Sequence, residues 1–196
     1  GTISLNDSSS ANDALLRFDT DSTITGGGRV FLGGSSNDSQ IGTTGSTLTV
    51  APDFLIEGSG QITADMINNG LVRTALGDNA DGRLLMNILD KVNNATMSAE
   101  AGGVLEFENI TITQGAAGVL LADGGAIEFD GNTTVSGGTI RTINGGTALR
   151  TNSGTLALNS VVIDGDLDVG IVATVVWTGP VLDCNGSINL NDSISA

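Results

Sequence analysis

The sequence predicts an all-β chain wound as a parallel β-helix, a single-stranded solenoid of roughly 21–25 residues per rung. Three observations carry that expectation. A short phrase returns along the chain: glycine, any residue, an aliphatic residue, any residue, then Leu or Phe. Pairs of glycines recur at a near-constant interval. The composition favours strands joined by tight turns over helices.

The phrase occurs at Gly1–Leu5, Gly28–Leu32, Gly103–Phe107, Gly125–Phe129, Gly154–Leu158 and Gly186–Leu190. Each copy reads as a turn glycine followed by a short strand with two inward apolar residues. The clearest register lies between Met97 and Ile163. Gly102-Gly103, Gly124-Gly125 and Gly145-Gly146 follow one another at intervals of 22 and 21 residues. Behind each pair comes an apolar anchor: Leu105, Ile127 and Leu149. Before each pair lies a second apolar element, at Met97, Val119–Leu121 and Ile140. A third follows the anchor, at Ile110 and Ile112, then Thr133 and Val135, then Val161 and Ile163.

Strands this short, separated by turns this frequent, leave no room for helical crossovers. Stacking would lay Leu105 under Ile127 and Phe107 under Phe129, burying a column that no single rung can bury alone. The outward Glu106 and Glu128 would then stack as well. Like charges one rung apart repel unless a cation or a tilt separates them.

Composition fits the same winding. Hydrophobic residues make up 39% of the chain, enough for a core, and only 3% are aromatic, so Val, Ile and Leu must fill it. There are 29 glycines and only two prolines, which suits strands needing every backbone N–H. The N-terminal half is looser. Leu48 and Val50, Phe54 and Ile56, and the run from Ile67 to Val72 read as strands. Segments 6–14, 33–47 and 73–83 read as longer loops rich in polar turn residues. The stretch 84–92 reads either as a strand, from alternating Leu84, Met86 and Ile88, or as an inserted helix, from Leu84, Leu85, Ile88, Leu89 and Val92.

The net charge of −15 excludes nucleic acid as a partner, because phosphate binding needs clustered cations. An anionic membrane surface is disfavoured for the same reason, and no run is long enough to insert in a bilayer. Cys184 stands alone, so no disulfide framework exists within the chain. It reads as a small buried apolar residue. A nucleophilic thiol would want a histidine, and the chain has none. Asn-x-Ser/Thr triplets such as Asn94 and Asn109 arise easily in so polar a chain, and Asn109 better suits a stacked amide at a turn. Thr111 and Thr113 hint at a flat threonine face of the ice-binding kind. Their pattern does not recur from rung to rung along the sequence, so that reading is not adopted.

Gly58-Ser-Gly60-Gln-Ile62, Ile67-Asn-Asn-Gly70, Gly137-Gly138-Thr-Ile140 and the stretch Asn93–Phe107 resemble the repeats of bacterial autotransporter passengers and filamentous-haemagglutinin-like adhesins. The resemblance spans roughly Ile56 to Asp166, and its motifs are compositional, so it speaks to architecture. It implies a right-handed parallel β-helix, extracellular or on a bacterial cell surface, serving as a non-enzymatic stalk. Residues 1–196 would form one β-helix domain, a piece of a longer repeat protein whose flanking rungs cap its ends. Partners would be host or cell-surface glycans or proteins, bound through loops and exposed faces.

The alternative is a carbohydrate-active β-helix: a polysaccharide lyase, a glycoside hydrolase or a tailspike-like glycan-binding module. Such chemistry needs converging carboxylates. Asp164, Asp166 and Asp168 alternate, and an extended strand would point all three one way, making them weak candidates for a sugar or metal cluster. No catalytic or cofactor-binding residue is otherwise assigned, and no cofactor is expected. Calcium is conceivable at Asp19 and Asp21, at Asp78 and Asp81, or at the Asp164 cluster, although none follows a calcium-loop spacing.

Overall fold

The computed structural model describes residues 1–6, 14–34, 38–74, 82–150, 154–170, 173–180 and 182–190. These wind into stacked rungs of three strands. In chain order the first rungs are β1 (Thr2–Leu5), β2 (Ala14–Phe18) and β3 (Ser22–Ile24); β4 (Arg29–Gly33), β5 (Ser39–Thr43) and β6 (Thr47–Val50); β7 (Leu55–Ile62) and β8 (Asp65–Asn68); β9 (Leu71–Thr74), β10 (Arg83–Met86) and β11 (Lys91–Asn93). Next come β12 (Thr96–Ala99), β13 (Val104–Glu108) and β14 (Thr111–Gln114); β15 (Val119–Asp123), β16 (Ala126–Asp130) and β17 (Thr133–Ser136). The last are β18 (Thr139–Ile143), β19 (Thr147–Arg150) and β20 (Gly154–Asn159); β21 (Val162–Asp164), β22 (Asp166–Val169) and β23 (Ala173–Trp177); and β24 (Asp183–Cys184) with β25 (Ser187–Leu190). No helix occurs among the described residues.

Every strand pairs in parallel with the strand one rung away, which makes the molecule a β-solenoid with three faces. The first face runs β1-β4-β7-β9-β12-β15-β18-β21-β24. The second runs β2-β5-β7-β10-β13-β16-β19-β22-β25. The third is an eight-stranded sheet, β3-β6-β8-β11-β14-β17-β20-β23. β7 belongs to two faces because it turns the corner within itself. Gly58 there adopts φ +125°, and a Cβ at this site would lie 2.0 Å from the Leu32 carbonyl oxygen. With no separate corner turn this rung is short, so Leu55 pairs with Leu71 where Thr2 pairs with distant Arg29.

The core is the stack of inward columns. Leu84, Leu105, Ile127 and Ala148 lie one above another on the second face, each at most 1% exposed. Phe107 and Phe129 stack with ring centroids 5.8 Å apart and planes 18° from parallel. Met97, Leu120, Ile140 and Ile163 form the matching column of the first face. The glycines also align. Val104 pairs with Ala126 and Ala126 with Thr147, which sets Gly103, Gly125 and Gly146 one above another at the corner entering the second face. A Cβ on Gly125 would meet the Glu100 carbonyl oxygen at 2.2 Å, so the chains pass too closely there for a side chain.

Buried amides form a second spine, at the corner leaving the third face. Asn68, Asn93 and Gln114 are at most 6% exposed. Asn68 Nδ2 donates to Asn93 Oδ1 (2.9 Å), and Asn93 Nδ2 donates to Gln114 Oε1 (3.2 Å) and to the Val119 carbonyl (3.2 Å). The ladder satisfies backbone groups as well: Gly70 N–H donates to Asn68 Oδ1 (3.0 Å), and Gln114 Nε2 donates to the Gly137 carbonyl (3.1 Å). Asn93→Ala is therefore expected to destabilise the fold by about 1–3 kcal/mol for each buried group left without a partner. Urea unfolding would measure it; an unchanged midpoint would mean that the ladder contributes nothing.

Several expectations need correction. Leu149 is not the anchor behind Gly146: Ala148 points inward, and Leu149 lies outward beside Glu128. Val161 and Ile163 do not follow Ile112 and Val135 on the third face. Leu158 pairs with Val135 there, while Ile163 returns to the first face opposite Ile140. The recurring phrase marks a strand start without choosing a face. Its copies at Gly1 and Gly28 open the first face, those at Gly103, Gly125 and Gly186 the second, and that at Gly154 the third.

Segment 33–47 is not one loop, because Ser39–Thr43 is a strand paired with β2 and β7. The other two expected loops are shorter than read, since Ala14 opens β2, Arg73 and Thr74 close β9 and Arg83 opens β10; residues 7–13 and 75–81 within them lie outside the described residues. Between Leu84 and Val92 the chain forms strand, turn and strand, which removes the helical option.

Candidate functional site

The turn between β10 and β11 holds a β-branched residue in the left-handed region. Leu89 N–H donates to the Asn87 carbonyl (2.8 Å), closing a three-residue γ-turn centred on Ile88. Ile88 adopts φ +67°, a region that β-branched residues rarely enter, and stands 68% exposed at the tip.

Beneath it sits Lys91, which sequence reading missed. It pairs with Met66 and Ile112, so it occupies an inward position in an apolar column, and it is 1% exposed. Its stem packs in the core while Nζ reaches the turn, donating to the carbonyls of Leu89 and of Asn87 (3.3 Å). Burial pulls its pKa down to about 7, against the opposing charges of Asp65 and Asp90. Asp65 and Asp90, with Gly45, Ser46 and Leu89, line a hollow of about 350 Å³. A lysine that can be neutral near pH 7 is chemically competent as a base or nucleophile. Its burial and two carbonyl partners put it to work instead as an internal cap on the strained turn. Only the alternation itself could have revealed it, through a lysine standing where Met66 and Ile112 stand.

The outward charges form ties between rungs. Glu57 is 5% exposed in its side chain although it points away from the core, because Arg29 and Arg73 close over it from the rungs on either side. Arg29 binds Oε1, and Arg73 grips Oε2 through Nη2 (2.7 Å) and Nε (3.0 Å). The Arg29 guanidinium also lies 5.9 Å from the centre of the Phe31 ring.

On the second face Glu106 and Glu128 stack as expected, and the separating cation is Arg83 from the rung below. Its Nη1 contacts Glu106 Oε2 and Glu128 Oε2 (the latter at 2.8 Å). Burial raises the pKa of Glu106, opposed by Arg83 and reinforced by Glu128 and Asp130. Burial lowers the pKa of Arg83, but the hydrogen bonds and charges of the two glutamates outweigh it, leaving a net rise.

Asp164, Asp166 and Asp168 are not brought to one point. Gly165 turns the corner at φ +123°, leaving Asp164 in β21 on the first face and the other two in β22 on the second. Asp164 pairs with Arg141 (2.6 Å), Asp166 accepts from Ser187 (2.6 Å), and Asp168 accepts from Asn189 Nδ2 (2.9 Å). Each partner lies one rung away. Asp19 pairs with Arg17, and Asp21 accepts the Thr47 N–H (2.9 Å); Asp78 and Asp81 lie outside the described residues. Among the described residues no group of three or more acidic or sulfur side chains is placed to hold a metal. Cys184 packs against the core opposite Ile163 but is half-buried, not buried as expected.

No family model, no curated protein and no solved structure matches the chain. The stacked parallel rungs are those of a β-helix repeat protein, and the fold is the level at which likeness stands.

Proposed function

We propose that this chain is a structural, adhesive rod: a non-enzymatic β-helix stalk of a secreted or surface-exposed bacterial protein. The resemblance to autotransporter passengers and filamentous-haemagglutinin-like adhesins supports that setting. The observation that carries the reading is the use made of charge. Arg29–Glu57–Arg73, Arg83–Glu106–Glu128, Arg141–Asp164, Ser187–Asp166 and Asn189–Asp168 all tie rungs together, the Arg83–Glu128 contact reaching across two. Side chains that an enzyme would leave free to meet substrate are spent here on holding the stack together. Loops and exposed faces then bind a surface glycan or protein, and no cofactor takes part.

The second reading, a carbohydrate-active β-helix, has one observation in its favour. Glu106 and Glu128 lie one rung apart with an arginine between them, and the pKa of Glu106 is raised as a general acid requires. A glycan array probed with and without EDTA, followed by a polysaccharide turnover screen, separates the two. The rod reading expects no turnover and no EDTA-sensitive binding. Turnover abolished by Glu106→Gln or Glu128→Gln would replace it with the enzyme, and EDTA-sensitive binding would replace it with a calcium-dependent lectin-like module.

A further inference from the structure

The threonines that do not recur along the sequence do recur in space. On the third face Thr111 pairs with Thr134, Thr113 with Ser136, and Thr155 with Thr174. All six point outward, alternating with the buried residues of β14, β17 and β20 and the partly buried ones of β23. Thr134 pairs onward with Ala157, and Ala157 with Val176, so the column they share carries methyl groups where it lacks hydroxyls. The outward positions of these four strands carry no charged side chain, on a protein whose net charge is −15.

The hydroxyls are also unused. Elsewhere in the fold threonine side chains bond to the protein: Thr74 to Glu100, Thr133 to the carbonyls of Phe107 and Asp130, Thr142 to Asp166. Among the described residues none of the six hydroxyls on this face has a protein partner.

The outward side of these four strands is therefore a two-dimensional array of methyl and hydroxyl groups, with one amide, Asn159, following Ser136 in its column. Rungs repeat at about 4.8 Å and alternate residues at about 6.7 Å, spacings set by the parallel sheet itself. Threonine is restricted at χ1, so the five threonine hydroxyls sample few positions. We propose that the part of the third face formed by β14, β17, β20 and β23, centred on Thr111, Thr113, Thr134 and Ser136, binds ice. A growing ice surface offers only a fixed lattice of O–H groups. Its binder must be regular, rigid and uncharged, because a charged side chain holds a hydration shell that the lattice cannot absorb. A glycan platform would instead call for aromatic rings, and the one tryptophan, Trp177, packs against the core. The inference goes beyond the rod reading, and the glycan array would read the same whether it holds or fails.

The test is thermal hysteresis and ice-crystal shaping by the purified chain. The wild type is expected to show both. Thr134→Lys, which sets a long cation in the middle of the array, is expected to lose them. Thr139→Lys, the same change at an outward position of the first face, is expected to retain them. Thr134→Val removes a single hydroxyl with almost no change in volume; it is expected to lower hysteresis, and it keeps the test valid if the lysine variant unfolds. Wild-type protein without hysteresis at its highest soluble concentration overturns the proposal, as does full activity in both Thr134 variants. A dimer seen by size-exclusion chromatography and broken by Thr134→Lys, with no hysteresis, overturns it too and assigns the face to a second copy of the chain.

Discussion

Leu105→Asp is expected to abolish cooperative folding. Leu105 is fully buried, with the apolar Leu84 beneath it and Ile127 above. An ionised carboxylate there must be desolvated without a partner, or protonated at a large cost. The expected loss exceeds about 4 kcal/mol, the range reserved for a buried unpaired charge or a large cavity. Val104→Thr, one residue away on the outward side, is the control and should cost less than about 1 kcal/mol. Circular dichroism and thermal melting read both. A Leu105→Asp protein that melts like the wild type would mean that the rungs are out of register with the description above.

Lys91→Met is expected to act in the opposite sense and stabilise the protein. The lysine occupies a position between Met66 and Ile112 that an apolar side chain fills without adjustment. An apolar side chain of similar length avoids the desolvation that a buried ammonium bears. The carbonyls of Asn87 and Leu89, which lose the ammonium, lie in a half-exposed turn that water can reach.

The effect depends on pH, and its sign follows from the depressed pKa. Below about pH 7 both the folded and unfolded chains carry the proton, and the folded state bears the burial of charge in full. Between about 7 and the ordinary 10.5 the unfolded chain binds more protons, so stability rises with pH across that window. The chain has no histidine and no tyrosine, so few other groups titrate in the same range. Melting temperature should climb from pH 6 to pH 9 in the wild type and stay nearly level in Lys91→Met. A slope that survives the substitution would assign the titration to another group.

The sequence made the columns legible wherever side-chain alternation and glycine spacing agree. Leu105 with Ile127, Phe107 with Phe129, and the three aligned glycines could all be read because β13 and β16 sit in rungs of nearly equal length. The stacked Glu106 and Glu128 even called for a cation. Its source could not be read, because Arg83 fell at the end of the expected loop 73–83, whereas it opens β10 and its long side chain reaches both carboxylates. Reading failed where corners absorb unequal numbers of residues. Leu149 and Ala148 exchange places through a one-residue difference, and in a strand one residue reverses inside and outside. Ile163 and Leu158 were confused because a strand phrase does not say which face it opens. The same limit hid the threonine face, since its members become neighbours only through pairing. Lys91 violates alternation outright, and a lone lysine among apolar residues is ordinarily taken for a solvated one.

The parallel ladders have a mechanical corollary. Their hydrogen bonds run along the long axis, and in the backbone ladders each turn of the coil grips only the two beside it. Tension applied to the two ends would peel the outermost coil first, releasing its full contour length before loading the next. Such a filament would lengthen stepwise under pull instead of snapping, dissipating work at every step. The amide spine and the paired phenylalanines would make its middle the last part to give way.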